Sequence, residues 1–174
     1  MLKIATFAGG CFWCLQGPFD NMPGVKSTRV GYSGGDGANL SYDDVCKGNS
    51  GHLEAVQVSY DPALVDYEKL MDVFWRNIDP FDATGQFVDQ GGQYQTAIFY
   101  HDEEQKQLAQ AAAGEIIRHF KRPTATRLLP YKNFYPSEEY HQGYYCNFPA
   151  QYERYKLGSG REIRLRHLWG QPKG

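Results

Sequence analysis

The sequence predicts a single α/β domain, residues 1–174, in which helices pack on a mixed β-sheet. Three observations favour this fold class. Segments with the alternation of strands interleave with segments of helical periodicity, which is the pattern of a sheet covered by helices. A chain of 174 residues is long enough to bury a core without disulfides or metal. No internal repeat, low-complexity tract or linker divides the chain.

The chain opens with a strand and a helix that are joined by glycines. Lys3 to Ala8 alternates as a short strand does, and Gly9-Gly10 allows the backbone to turn tightly. A helix is therefore predicted to begin around Cys11. Val25 to Tyr32 is the next predicted strand.

The middle of the chain alternates loop, strand and helix. Residues 33–50 are rich in loop-forming residues, with a short helical turn predicted at Tyr42 to Cys46. Glu54 to Tyr60 alternates apolar and polar residues as a strand. From Tyr67 to Ile78 the apolar residues fall at helical spacing, and Asp66 is placed to cap that helix.

The second half begins with a glycine-containing loop at Asp82 to Gly92. A strand follows at Gln95 to Tyr100. Asp102 and Gln105 then form a variant of the capping box, ahead of a long helix that reaches Phe120.

The last third is less regular. A strand is predicted at Pro123 to Leu129 and a short helix at Ser137 to Tyr145. From Lys156 onwards the sequence is basic and interrupted by glycines, without a periodicity that assigns a structure.

Composition excludes several classes of function. The net charge is -2, with 18 basic and 20 acidic residues mixed along the chain, so neither nucleic acid nor a membrane surface is expected as a partner. The opening MLKIATFAGG is too short for a secretory or membrane-spanning segment, and a cytoplasmic location is expected. Four cysteines including a CxxC are, in a reducing compartment, more typical of reactive or metal-binding residues than of a disulfide framework.

The CxxC motif, Cys11 and Cys14, admits several interpretations. A cysteine at a helix N-terminus faces unpaired N–H groups, which favour the thiolate, so Cys11 is predicted to be nucleophilic. Cys14 lies one turn later, close enough in principle for a disulfide. A structural zinc site lacks a second paired spacing of ligands. Thiol-disulfide exchange of the thioredoxin kind, or inert buried thiols, remain open from the residues alone.

Four segments together carry a resemblance to a known family. They are GCFWC after a short strand, GHLEAVQVSYDP, DQGGQYQTAIFY and EEYHQ, in this order over most of the chain. In this order they resemble peptide methionine sulfoxide reductase, A type. The resemblance implies a ferredoxin-like two-layer core and reduction of the S epimer of methionine sulfoxide, free or in proteins. It also implies repair of oxidised proteins with thioredoxin or a similar thiol as reductant, without metal or bound cofactor.

The resemblance implies a role for each matched residue. Cys11 is the nucleophile that becomes a sulfenic acid, and Glu54 is the acid that protonates the sulfoxide oxygen. Tyr42 and Tyr94 match the tyrosines that donate hydrogen bonds to that oxygen. The substrate-binding positions are Phe12, Trp13 and Asp89, of which the two aromatic residues form the pocket for the S-methyl group. His52 and His141 are interpreted as structural hydrogen-bonding residues.

Recycling of the enzyme departs from the family pattern. Many members carry resolving cysteines in a C-terminal tail, and this chain has no cysteine after Cys146. Cys14 is the preferred resolving residue because of its spacing from Cys11. Cys46, Cys146 and direct reduction by an external thiol remain alternatives.

Two rival functions stay open beside the reductase. One is a thioredoxin-like thiol-disulfide oxidoreductase, and the other is a non-enzymatic module that binds metal or peptide. Activity on a sulfoxide that depends on Cys11, Glu54 and Tyr94 separates the first function from both rivals. We expect the protein to act as a monomer.

Overall fold

The fold is described from a computed structural model, in which residues 1–36, 40–48 and 50–170 can be described. The strands are β1 (Lys3–Gly9), β2 (Val25–Ser33), β3 (Leu53–Tyr60), β4 (Gly85–Gln86), β5 (Asp89–Gln90), β6 (Thr96–Tyr100), β7 (Arg127–Pro130) and β8 (Tyr135–Pro136). The helices are α1 (Phe12–Asp20), α2 (Tyr42–Cys46), α3 (Tyr67–Arg76), α4 (Glu103–Phe120), α5 (Tyr144–Asn147), α6 (Pro149–Ser159) and α7 (Arg161–Trp169).

Six strands form a mixed sheet in the order β7-β6-β1-β3-β2-β8. All neighbouring strands are antiparallel except β6 and β7, which are parallel. The succession β1-α1-β2-β3-α3-β6 has its strands in the order β6-β1-β3-β2, which is the ferredoxin-like arrangement. The predicted fold class, a mixed sheet with packed helices and a ferredoxin-like core, is confirmed.

The main core lies between the sheet and its helices. Side chains alternate along β1, so that Phe7 points to the helix-covered face. Its ring stacks on Phe19 of α1 at 5.3 Å and on Phe74 of α3 at 5.1 Å between centroids. Val56 and Val58 of β3 belong to the same buried cluster. Because Glu54 shares their parity, the pleat of β3 directs its carboxyl group to the helix-covered face.

The opposite face of the sheet is covered by the chain that follows β7. Ala55 of β3 and Phe99 of β6 are buried there against Leu129, Tyr131 and Phe134. The sheet is therefore covered on both faces, by helices on one and by an extended segment on the other.

The predicted capping residues start the two long helices. Asp66 accepts a hydrogen bond from the Lys69 N–H at 2.8 Å, and Asp102 accepts one from the Gln105 N–H at 2.8 Å. The Gln105 side chain accepts from the N–H of His101 at 2.9 Å, which makes it the predicted variant of a capping box.

Four boundaries differ from the sequence prediction. The loop at residues 82–92 contains the ribbon of β4 and β5. The strand predicted from Pro123 begins only at Arg127, where pairing with β6 starts. The predicted helix at 137–145 is split into a 3₁₀ turn and α5, because Gly143 takes a left-handed conformation with φ of 63°. The unassigned tail forms α6 and α7.

Within residues 1–36, 40–48 and 50–170, no helix is both long enough and apolar enough to cross a bilayer.

Candidate active site

The turn between β1 and α1 places the CxxC motif at the start of a helix. Gly10 has φ of 80°, and a Cβ atom on it would come within 2.6 Å of the Cβ of Gln86. Both facts require glycine at this position. Cys11 is the N-cap of α1, and its carbonyl oxygen accepts the Cys14 N–H at 3.2 Å. The motif therefore opens the helix as predicted.

The two sulfurs of the motif form a buried pair of free thiols. Cys11 is 6% exposed and Cys14 is 4% exposed, and their side chains hydrogen-bond to each other. Burial, followed by the hydrogen bond with Cys14, raises the pKa of Cys11 well above its ordinary value. The same hydrogen bond, with the charge of Arg161, lowers the pKa of Cys14 against the effect of its burial.

Of the two thiols in the reduced pair, Cys14 is therefore the more acidic. That Cys11 is the nucleophile stays a prediction, and the helix start is not enough to favour its thiolate. The partial charge of a short helix is outweighed by desolvation at the buried Cys11 sulfur.

Glu54 lies beside Cys11, as the sequence predicts for an acid. Its side chain is 1% exposed, and its Oε1 atom accepts the Phe12 N–H at 3.3 Å. Its Oε2 atom has no hydrogen-bond partner among the described residues. Burial is the main reason that the pKa of Glu54 is raised to about 8, with the Phe12 N–H acting in the opposite direction. At neutral pH the group is therefore a protonated carboxylic acid next to a thiol.

The two predicted tyrosines lie together near this acid. Tyr42 is the first residue of α2, and Tyr94 ends the 3₁₀ turn Gly92–Tyr94. Their side chains hydrogen-bond to each other, and an ionised Glu54 would raise the pKa of both hydroxyl groups. Burial is the first cause that raises the pKa of both hydroxyl groups, which keeps them protonated and able to donate. The Tyr42 N–H donates to Glu138 Oε1 at 3.0 Å, which ties α2 to the EEYHQ segment.

The two aromatic residues of the motif are held by a histidine. Phe12 is buried, with its ring 5.3 Å from that of His141, and the Trp13 Nε1–H donates to His141 Nδ1 at 3.0 Å. Trp13 also stacks on Tyr144 at 3.9 Å between centroids. Burial lowers the pKa of His141, so its ring is neutral and can accept this bond. His52 Nδ1 accepts the Gly35 N–H at 3.2 Å, so both histidines have the structural hydrogen bonds expected of them.

Asp89 lies on β5, and its partner comes from the C-terminal helices. The hydroxyl of Tyr155 on α6 donates to Asp89 Oδ2, and Tyr155 also hydrogen-bonds to the Cys11 sulfur. Burial, opposed by this bond and by Arg161, raises the pKa of Asp89. Tyr155 therefore connects a predicted substrate-binding carboxylate with the predicted nucleophile.

The sequence did not predict three residues of the site, because it did not predict α6 and α7, on which they lie. Tyr152 hydrogen-bonds to Cys14, Tyr155 to Cys11 and Asp89, and Arg161 acts on Cys14 by its charge. Two signals in the sequence could have found these helices: Pro149 stands at the first turn of α6, and Gly160 takes the left-handed conformation between α6 and α7. Tyr152 and Tyr155, three residues apart, then share one helix face.

The remaining cysteines are exposed. Cys46 lies at the end of α2, where its side chain hydrogen-bonds to Tyr42, and Cys146 lies on α5. Within the described residues, no group of three or more His, Cys, Asp or Glu side chains could hold a metal ion.

Comparison with known proteins gives one family. The family model described as peptide methionine sulfoxide reductase matches residues 3–173. The chain is similar to the peptide methionine sulfoxide reductase MsrA of Bacillus licheniformis, with 47% identity over 171 residues. This match covers 97% of the present chain and 94% of the relative.

Solved structures share the fold. Mxr1 from Saccharomyces cerevisiae in reduced form matches with a TM-score of 0.80 and 33% identity, over 85% of this chain and 86% of that one. Mxr1 in complex with Trx2 matches with a TM-score of 0.56 and 28% identity, over 83% of this chain and 86% of that one.

Proposed function

The chain belongs to the peptide methionine sulfoxide reductase family, and on that basis we propose that it reduces methionine sulfoxide to methionine at the site around Cys11 and Glu54. One observation carries the assignment. A buried carboxylic acid with a pKa near 8 lies one hydrogen bond from the residue that follows a buried cysteine. A thiol beside a protonated acid is the pair that removal of oxygen from sulfur requires.

In the first step the Cys11 sulfur attacks the sulfoxide sulfur while Glu54 protonates the oxygen. Tyr42 and Tyr94 donate hydrogen bonds to that oxygen, which stabilises the charge that develops on it. The S–O bond and the transient bond between the two sulfurs then break, the oxygen passes to Cys11 to give a sulfenic acid, and methionine leaves as the sulfide. Because Cys14 is hydrogen-bonded to Cys11, it can take up the Cys11 proton as the attack occurs.

Phe12 and Trp13 form the pocket for the S-methyl group, and Asp89 binds the substrate beyond it. The hydrogen bond from Trp13 to His141 supports this role, because it holds the indole ring in one orientation. Family resemblance favours the S epimer, in free methionine sulfoxide or in proteins.

Cys14 then attacks the sulfenic acid, and thioredoxin or a similar thiol reduces the resulting disulfide. The contact between the two side chains supports the pairing, and the solved complex of Mxr1 with Trx2 supports the class of reductant. A cytoplasmic location is part of this proposal, because a reducing compartment returns the pair to free thiols. Residues 1–174 act as one catalytic domain, since strands and helices from both halves of the chain supply the site.

The test is a single turnover on methionine sulfoxide without reductant, followed by mass spectrometry. The wild-type protein is expected to release about one methionine per chain and to gain one disulfide. Cys11→Ser is expected to release none, because a hydroxyl group lacks the reactivity of a thiolate. The exposed Cys146→Ser serves as the matched control and keeps the wild-type yield. A folded Cys11→Ser protein with full yield would remove the assignment of the nucleophile.

A further inference from the structure

Arg161 is a buried cation whose guanidinium binds main-chain carbonyl groups and an aromatic ring. Its side chain is 3% exposed, its Nη1 atom donates to the Asn77 carbonyl at 2.6 Å, and its Nη2 atom to the Gly9 carbonyl at 3.5 Å. Its guanidinium lies over the Phe87 ring, 4.4 Å from the centroid. Among the described residues it makes no ion pair with a carboxylate, and its Nε atom has no hydrogen-bond partner.

Such a group is costly to bury unless an anion lies near it. Two other arginines of the same region form ion pairs with carboxylates. Arg76 pairs with Asp72 at 3.1 Å, and Arg164 pairs with Asp79 at 2.9 Å. Arg161 forms no such ion pair, and its charge acts instead on the carboxyl group of Asp89 and on the sulfur of Cys14.

The position of Arg161 indicates Cys14 as that anion. Both residues line a cleft of about 680 Å³ between α1, α3, α6 and α7. Cys11, Trp13 and Glu54 do not line this cleft. Arg161 thus reaches the redox pair from the side of Cys14.

The charged and titratable groups that face Cys14 come from five elements. They are Cys11 at the start of α1, Glu54 on β3, Asp89 on β5, Tyr152 and Tyr155 on α6, and Arg161 on α7. Of these groups in the described chain, Arg161 is the cation. The hydrogen bond from Cys11 contributes most to the lowered pKa of Cys14, and Arg161 is the largest source of charge that acts in the same direction.

We propose that Arg161 is a positioning residue of the redox pair, whose guanidinium keeps the Cys14 sulfur as a thiolate. Cys14 is then the attacking group when the disulfide forms and the leaving group when the disulfide is reduced. This inference rests on the proposed function. It adds the group that makes the Cys14 sulfur the attacking group in one step and the leaving group in the other.

The chemistry balances in both steps. The electron pair of the Cys14 thiolate forms the S–S bond with Cys11, the S–O bond of the sulfenic acid breaks, and the oxygen leaves as water with one proton from solvent. In reduction, a thiolate of a thioredoxin-type dithiol attacks Cys11, and Cys14 leaves with the electron pair of the broken S–S bond. The second thiol of the reductant then releases Cys11, and the reductant departs as a disulfide. A thiol with a lower pKa is the faster leaving group, which favours attack on Cys11.

The experiment compares three substitutions on α7. Arg161→Gln removes the charge but keeps a hydrogen-bonding side chain, Arg161→Lys keeps the charge, and Arg166→Gln removes an equal charge from an exposed residue of the same helix. For each protein, rapid mixing with methionine sulfoxide yields the burst of methionine and the rate of disulfide formation as a function of pH. A reagent that traps sulfenic acid reports how long the intermediate persists.

Arg161→Gln is expected to slow disulfide formation at pH 7 by about tenfold or more, since the thiolate fraction falls tenfold for each unit of pKa above the working pH. The midpoint of the pH profile moves to higher pH, and the sulfenic acid persists. Arg161→Lys restores most of the rate, and Arg166→Gln retains it. An unchanged rate and midpoint in Arg161→Gln would overturn the proposal.

A second measurement does not depend on changing Arg161. In Cys11→Ala the hydrogen bond from residue 11 is lost while Arg161 remains, and the pH profile of Cys14 alkylation reports the thiolate. A midpoint below about 8.5, the ordinary value for cysteine, supports the role of Arg161. A midpoint at or above that value contradicts it.

A wild-type burst of methionine without a Cys11–Cys14 disulfide would overturn this inference alone, whereas absence of the burst would overturn the proposed function.

Discussion

The Glu54 carboxyl group owes its raised pKa to its place on β3. The pleat directs it under α1, where it is buried and where, among the described residues, the Phe12 N–H is the donor that reaches one of its oxygens. Desolvation favours the neutral form more than this single hydrogen bond favours the charged form. The same carboxyl group at the surface would be ionised at neutral pH and could not act as an acid.

Glu54→Gln is expected to slow the first reductive step by about a hundred- to ten-thousandfold, the usual contribution of general acid catalysis. Glutamine matches the shape of the side chain but has no proton to give. In the wild-type protein the rate should decline as pH rises through about 8, where the carboxyl group loses its proton, and the variant should lack this decline. Single-turnover kinetics with excess dithiothreitol measure both effects. An unchanged rate would make Glu54 a structural residue only.

Cys14→Ser separates the oxygen transfer from recycling. The variant should still release about one methionine per chain and then accumulate the Cys11 sulfenic acid, because serine cannot form a disulfide. Turnover with thioredoxin should be lost. Cys46→Ser and Cys146→Ser provide matched single changes at exposed cysteines. Normal cycling of Cys14→Ser, or a peptide map that joins Cys11 to Cys46 or Cys146, would exclude Cys14 as the resolving residue.

At the scale of elements, the β1–α1 turn decides where both sulfurs lie. The central strand β1 ends just before this turn, and the positive φ of Gly10 lets the chain reverse its direction into α1. The ribbon of β4 and β5 packs against this turn through Gln86, whose side chain is bound to the main chain of Asp79 at 2.8 and 2.7 Å. The turn is thus enclosed by structure from a distant part of the sequence.

Gly10→Ala is expected to destabilise the protein by roughly 1–2 kcal/mol from the left-handed conformation alone, and by more because its Cβ would meet Gln86. Enzymatic activity should fall together with stability, because Cys11 is the next residue. Gly158→Ala on α6 is the control. Its Cβ would meet nothing within 4 Å, and alanine should stabilise that helix by up to about 1 kcal/mol. Urea unfolding compares the two variants, and equal stabilities would refute the requirement for glycine at position 10.

At the scale of the whole molecule, the raised pKa of Glu54 couples folding to pH. The folded pKa is about 8, and the reference value for the unfolded chain is 4.5. Between these values the folded state holds one more proton than the unfolded state, so the free energy of unfolding falls as pH rises. The loss begins near pH 4.5 and is complete above pH 8.

The difference in unfolding free energy between the wild-type protein and Glu54→Gln isolates this effect. Other titrating groups largely cancel in the difference, and each unit between the two pKa values corresponds to about 1.4 kcal/mol. We expect the wild-type protein to lose stability relative to the variant from pH 5 to pH 8. Denaturant unfolding of both proteins at several pH values measures this difference in the free energy of unfolding. A difference that is constant over this range would show that Glu54 is ionised in the folded protein.

The local sequence was sufficient for much of the fold. Periodicity and caps predicted β1, β2, β3, β6 and the starts of α3 and α4, because these elements are specified by side chains close together in the chain. The glycines before the CxxC predicted its turn into a helix. The motifs predicted the family and, through it, the residues proposed for the site.

The tertiary structure alone decided what surrounds the two sulfurs. α6 and α7 have weak amphipathic patterns, so their helical state follows from packing, of α6 against α5 and of α7 against α6, rather than from periodicity. They bring Tyr152, Tyr155 and Arg161 to cysteines about 140 residues away in sequence, a proximity that sequence spacing does not encode. The charge of the thiol pair depends on burial and on these distant partners. For that reason the sequence predicted a thiolate at Cys11, whereas in the folded protein burial raises the pKa of Cys11 and the partners of Cys14 lower the pKa of that thiol.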